Sequence, residues 1–219
     1  MTNQDLTLLM DTSDEWIVER TGIRERRWVP EGMSGAEMAK RAGLMALEGA
    51  GLSPAVLTST EGEDRGVPST HLHSDGRYAE MLWVEFESGK HHPRITAEMI
   101  HEARHYPSMD GREVFKHAIA RMPEAVREAL AANGLGIADL DLLIPHQANL
   151  RITQMVQRRL GLSDAQVVSN IHKYGNTTAA TIPIALAEAV REGRLARGDL
   201  LCLVAFGSGF TWGSALVRW

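Results

Sequence analysis

Three groups able to manage negative charge follow apolar runs in this chain: His146 in "DLLIPHQANL", Asn176 in "HKYGNT", and the glycine-rich "FGSGF" from Phe206 to Phe210. An imidazole gains or gives a proton near neutrality, a carboxamide donates N–H, and a glycine-rich turn can point backbone N–H groups at a ligand. Aimed at one point, such donors stabilise an oxygen that becomes negative, as on a thioester or an enolate. The plainer alternatives are a histidine satisfied within the fold and an asparagine that only shapes a turn after Gly175. The position of His146 between Pro145 and Gln147 at a strand end, with Asn176 beyond the following strand, favours function.

Positioning these groups requires their elements to alternate, and the carboxyl half does alternate. Strand "DLLIPH", helix "LRITQMVQRRLGL", strand "AQVVSNI", loop "HKYGNT", helix "AATIPIALAEAVREGRL" and strands "DLLCLVAFG" and "FTWGSALVRW" follow in order. That order predicts an α/β fold, a mixed or parallel sheet with helices on its faces and reactive groups at the carboxyl ends of its strands. Upstream, "GREVFKHAIARMPEAVREALAANGL" (111–135) reads as a long amphipathic helix bent at Pro123. "VPSTHLHSDGRYAEMLWVEFES" reads as two strands around a Ser-Asp-Gly turn. "ITAEMIHEARH" is helical until Pro107, and "SGAEMAKRAGLMALEGAGL" (34–52) has apolar residues at helical spacing with Gly51 to stop it.

Composition narrows the function classes. The 219 residues are 44% hydrophobic and 23% charged, enough for a packed core. A formal charge of −5 argues against a general nucleic-acid binder, which needs clustered cations to displace counterions. Cys202 is the only cysteine, so no intrachain disulfide can form, and a reducing cytoplasm is the expected compartment. Neither an export leader nor a membrane-spanning apolar run is evident.

Two patterns invite more chemistry than they support. "HEARH" (101–105) matches the H-E-x-x-H zinc motif, but Pro107 cuts its helix short and a third ligand must come from elsewhere, so a solvated helix face is expected. Cys202 lies within "LLCLVAF", an apolar strand, where a small buried hydrophobe is expected rather than a nucleophile. His71 and His73 alternate on a strand and should face one side.

Longer motifs carry a family resemblance. "DTSDEWIVERTGIRERR", "STHLHSDG", "MDGREVFKHA", "PHQANLRI", "YGNTTAATIPIAL" and "AFGSGFTWGSALVRW" resemble β-ketoacyl-acyl-carrier-protein synthase III, a thiolase-fold condensing enzyme that starts fatty-acid chains. The resemblance implies a thiolase-like α/β fold, with 111–219 as its carboxyl-terminal domain and 1–110 as a heavily truncated amino-terminal segment. It implies that His146 and Asn176 bind the malonyl thioester carbonyl and stabilise the enolate left by decarboxylation. Phe206, Ser208 and Gly209 then occupy the gate and oxyanion loop, and Trp16 and Arg20 are coenzyme A contacts. Gln147, Ala148, Asn149, Leu150 and Arg151 form a segment that recognises acyl carrier protein. No resident cofactor is implied, since the coenzyme A thioester is substrate, and neither nucleic acid nor membrane is a partner. A homodimer is possible, although most of the family's dimer-forming segment is missing.

Two departures qualify this. The family's first strand does not precede "NQDLTLLMDTSDEW", and "GLSP" (51–54) passes directly to "AVLTSTE", where the family carries a large block that includes its nucleophilic cysteine. Competing expectations follow: a condensing enzyme transferring an acyl group, with acetyl expected, to malonyl carrier protein; a non-catalytic module that docks carrier protein; or a deletion product without function.

Overall fold

In the computed structural model, residues 1–34, 37–38, 40–42, 45, 65–86 and 92–219 are described. Most of the helix expected over 34–52 therefore lies outside the described residues, as does the junction after Pro54.

A four-stranded sheet organises the chain. Its strands are β1 (Gly66–Ser74), β4 (Leu142–Pro145), β5 (Leu200–Gly207) and β6 (Thr211–Arg218), in the order β1-β6-β5-β4. β4 and β5 run parallel, with Leu143 opposite Cys202, whereas β6 is antiparallel to both β5 and β1. The sheet is mixed, as the alternation of elements predicted. Two short strands, β2 (Leu82–Trp83) and β3 (Ser108–Met109), pair separately.

Helices cover both faces because the strands alternate their apolar side chains. On one face Leu143, Cys202, Val204, Phe206 and Leu216 pack against Met122, Ala125, Val126 and Leu130 of α4 (Gly111–Ala132) and Ile152 and Val156 of α5 (Leu150–Leu160). On the other, Leu142, Ile144 and Leu201 meet Ala185 and Ala189 of α7 (Thr181–Arg191). α4 starts at Asp110, whose carboxylate accepts from the amides of Arg112 and Glu113, and it continues through Pro123. Ser214 Oγ of β6 donates to Ala125 O of α4 at 2.8 Å, fixing that helix to the middle of the sheet.

Several expectations change. β1 pairs with β6 at Gly66 and from Ser69 to Ser74, so this strand from before residue 111 shares a sheet with the strands after it. His73 Nε2, 2.7 Å from Glu128 Oε2, further ties β1 to α4. The second strand of "VPSTHLHSDGRYAEMLWVEFES" is instead a 3-10 turn over Gly76–Met81 followed by the two residues of β2. "AQVVSNI" makes only an isolated parallel bridge, Val167 to Leu143. The helix α3 closes at Ala97–His101, and Ala103 at φ 57° breaks the helical spacing that would align His101 with His105. Among the described residues no group of three or more His, Cys, Asp or Glu is placed to hold a metal ion.

The amino-terminal residues form α1 (Asn3–Thr7) and α2 (Asp14–Thr21), which dock on the carboxyl half near the expected site. Asn149 Nδ2 donates to Arg20 O at 2.9 Å, and the amides of Arg24 and Glu25 both donate to His172 O. Gly22 closes α2 at φ 77°; a Cβ there would stand 2.5 Å from the Cβ of Leu150.

Candidate active site

His146 is the first residue past β4, and its amide donates to Val204 O of β5 at 2.8 Å, so the sheet fixes its backbone. Its half-buried ring places Nδ1 2.6 Å from Thr181 Oγ1, in the first turn of α7. Burial alone holds the imidazole below its ordinary value of 6.5, because charge is costly where water is scarce.

A continuous set of short contacts joins Asn176 to His146. The helix α6 (Ile171–Tyr174) ends at Gly175, and Asn176 Oδ1 then accepts from the amide of Thr178 at 3.0 Å. Thr178 O in turn accepts from Thr181 Oγ1 at 3.0 Å, and Thr181 reaches His146. Asn176 itself is exposed.

α6 is locked in place from behind. Glu188 of α7 accepts from Asn170 Nδ2 (2.9 Å) and Tyr174 OH (2.7 Å) and pairs with Lys173 Nζ at 3.3 Å. Asn170 N donates to Gln147 Oε1, and Gln147 Nε2 donates to Pro145 O and Val168 O. One buried amide side chain thus connects the strand end that carries His146 to the helix that precedes Asn176.

Gln147 is 1% exposed, so it serves this internal bracing and does not reach a partner as the recognition segment required. Ala148 packs against the core. Asn149 caps α5 through Arg151 N, and Leu150 lies against Gly22. Of the five residues, Arg151 is the exposed one, its guanidinium 5.7 Å from the ring centre of Phe115.

Phe206, expected at a gate, is 6% exposed, with its ring 4.9 Å from that of Phe210 within the core on the α4 face. Ser208 is exposed, and its carbonyl accepts from Thr211 Oγ1. Gly209 has φ 131°, and a Cβ there would come within 2.7 Å of Thr211 Cγ2, so the turn admits only glycine comfortably. Trp16 and Arg20 lie one turn apart on the exposed side of α2, the guanidinium 5.5 Å from the indole centre. Cys202 is fully buried in β5, and burial pushes its thiol up to about 12.

Thr181 and Glu188 went unremarked in the sequence because a threonine at a helix start and a glutamate on a helix face are ordinary there. The local signal was the apolar character of "TIPIALAEAV", in which Thr181 and Glu188 are the only polar side chains.

A mixed sheet sandwiched by helices, with a histidine at one strand end braced to an asparagine loop, defines a thiolase-like α/β protein. The family model for the 3-oxoacyl-[acyl-carrier-protein (ACP)] synthase III C terminal matches residues 130–219. The β-ketoacyl-[acyl-carrier-protein] synthase III of Rhodospirillum centenum is 35% identical over 315 positions, covering 100% of this chain and 94% of that protein. That of Acidiphilium cryptum is 48% identical over 177 residues, 80% of this chain and 52% of that protein. The crystal structure of 3-oxoacyl-(acyl carrier protein) synthase III from Pseudomonas aeruginosa superposes with a TM-score of 0.85 at 27% identity, covering 100% of this chain and 93% of that one. The chain belongs to the β-ketoacyl-[acyl-carrier-protein] synthase III family. The alignment with the Rhodospirillum protein is 315 positions long against 219 residues here, so part of that relative faces no residue of this chain. Among the described residues no helix is long and apolar enough to cross a membrane.

Proposed function

We propose that this chain retains the half of the family's reaction that handles the malonyl thioester and lacks the half that forms the acyl-enzyme. In this reading His146 and Asn176 grip the thioester carbonyl of malonyl carrier protein and stabilise the enolate as carbon dioxide leaves. The reading rests on the contacts that run from Asn176 through Thr178 and Thr181 to His146. Gly209 and the Ser208 turn supply the neighbouring loop, and Trp16 and Arg20 offer a flat aromatic and a cation to the nucleotide end of a coenzyme A thioester. Coenzyme A enters as substrate, and no resident cofactor is needed.

The family's transfer from an acyl-coenzyme A, acetyl in the simplest case, requires a thiolate nucleophile. Cys202 does not fill that role, because a thiol held near 12 inside a strand is neither ionised nor accessible at neutral pH. We place the loss in a block after Pro54. Incubation with malonyl carrier protein should give slow decarboxylation that falls at least tenfold in His146→Gln and Asn176→Ala, while acetyl-coenzyme A leaves no acetyl mass on the chain. Decarboxylation unchanged by either substitution, or an acetyl adduct that disappears in Cys202→Ser, would sink this reading.

The exposure of Arg151 at the start of α5 favours a second reading, a module that docks the carrier protein without turnover. An exposed guanidinium at a helix start meets an acidic partner electrostatically. Titration calorimetry should then detect weak, salt-sensitive binding of carrier protein that Arg151→Glu abolishes; equal binding by both chains refutes docking through this residue.

A further inference from the structure

The β5–β6 hairpin ends its pairing at Gly207 and Thr211, which leaves residues 208–210 outside that ladder. The far end of this loop is held from another strand. Asp75 N donates to Phe210 O at 2.7 Å and Phe210 N donates to Asp75 O at 2.9 Å, one step beyond the last β1–β6 pair, Ser74 with Thr211. Both backbone groups of Phe210 are therefore taken by Asp75, and Phe210 directly follows Gly209.

Asp75 stands where β1 stops and the chain folds back. Its backbone is still extended (φ −140°, ψ 95°), while its carboxylate caps the 3-10 turn Gly76–Met81 by accepting from Arg77 N at 3.2 Å. A side-chain acceptor at this place closes the turn; without one the first amides of the turn lose their partner and the chain is free to open. The same turn carries Tyr78, whose ring stacks on that of the fully buried Phe210, with centres 5.4 Å apart and planes at 12°. Asp75 thus reaches Phe210 twice, through paired backbone and through the tyrosine it positions. Arg77 Nε and Nη2 also donate to the carboxylate, at 2.8 and 2.6 Å, but the Arg77 side chain is 80% exposed. An ion pair so open to water contributes little, so the contact with the Arg77 amide is the one that shapes the chain.

We propose that Asp75 is a positioning residue for the glycine loop: its side chain sets the turn that holds Phe210, and through Phe210 it fixes the backbone of Ser208 and Gly209. This deepens the functional reading above and rests on it only for what the loop does. Donors aimed at a developing charge are effective when they are already in place and need not reorganise. Ser208 is exposed and Gly209 has no side chain to anchor it, so the order of the loop is imposed from its ends.

Amide hydrogen exchange followed by NMR in the ligand-free chain tests this. Asp75→Ala should speed exchange of the Phe210 amide by about threefold or more, the scale of a lost cap, while the β4–β5 and β5–β6 ladders keep their rates. Asp75→Asn keeps the acceptor and drops the charge, so it should restore slow exchange. With malonyl carrier protein as substrate, Asp75→Ala should lower kcat and leave KM nearly unchanged, because the loop acts on charge that develops during the reaction. Unaltered Phe210 exchange in Asp75→Ala, an equal acceleration throughout both ladders, or no recovery in Asp75→Asn overturns the proposal. So does decarboxylation by the unsubstituted chain whose kcat Asp75→Ala leaves unchanged. If the alanine variant does not fold, Asp75→Glu replaces it: its carboxylate stands one methylene too far out to cap Arg77 N, so Phe210 exchange should again quicken, and unaltered exchange refutes the role. Faster Phe210 exchange in a chain that shows no decarboxylation even unsubstituted would leave this inference standing and count against the functional reading instead.

Discussion

His146 couples the chemistry of the site to the acid stability of the fold. In the unfolded chain its imidazole titrates near 6.5, and in the folded chain burial holds it lower. Between the two values the unfolded state binds more protons, so stability is complete above pH 6.5 and is lost as pH falls through the folded value. Urea midpoints at pH 7 and pH 5 should therefore differ less in His146→Gln than in the unsubstituted chain, the other histidines contributing equally to both. Gln147 next to it is the more sensitive residue for stability, because its amide serves three backbone groups from inside the core. Gln147→Leu leaves those groups unpaired and should cost roughly 1–3 kcal/mol by chemical denaturation, with loss of whatever activity depends on the Asn176 loop.

At the level of elements, the docking of α2 on α5 is the contact easiest to break by design. Gly22→Ala puts a methyl group against Leu150 and forces a left-handed backbone on alanine, so it should release residues 1–28 to a protease while α4 to α7 stay protected. The elements legible from sequence were those with internal instructions: α4 with its Asp110 cap and apolar stripe, α5 with Asn149 before and Gly161 after, and β4, β5 and β6 with long apolar runs. "AQVVSNI" carried a strand's residues but not a strand's partners. Its carbonyls are claimed by side chains distant in sequence, Arg194 taking Ala165 O and Val167 O and Gln147 taking Val168 O. The candidate site was half legible for the same reason. His146 and Asn176 stood out by their position after apolar runs, whereas the inward turn of Gln147 and the packing of Phe206 depend on which face the sheet buries, and contact across the fold decides that.

Across the whole molecule, the sheet is assembled out of chain order. β6 occupies an interior position between β1 and β5, and its registry with β1 joins Gly66 to Arg218. Such long-range pairings are slow to close, since the intervening chain must first be brought together. On the ribosome, which releases the chain from its amino end, β1 and the apolar stripe of α4 emerge well before the strand that will pair with one and cover the other. The nascent protein therefore passes through most of its synthesis with an open sheet edge and an uncovered helix, a window in which a chaperone that shields apolar surface has something to hold. A nonsense codon before residue 211 would make that window permanent, and the product should go to proteases or inclusion bodies instead of folding as a shortened domain.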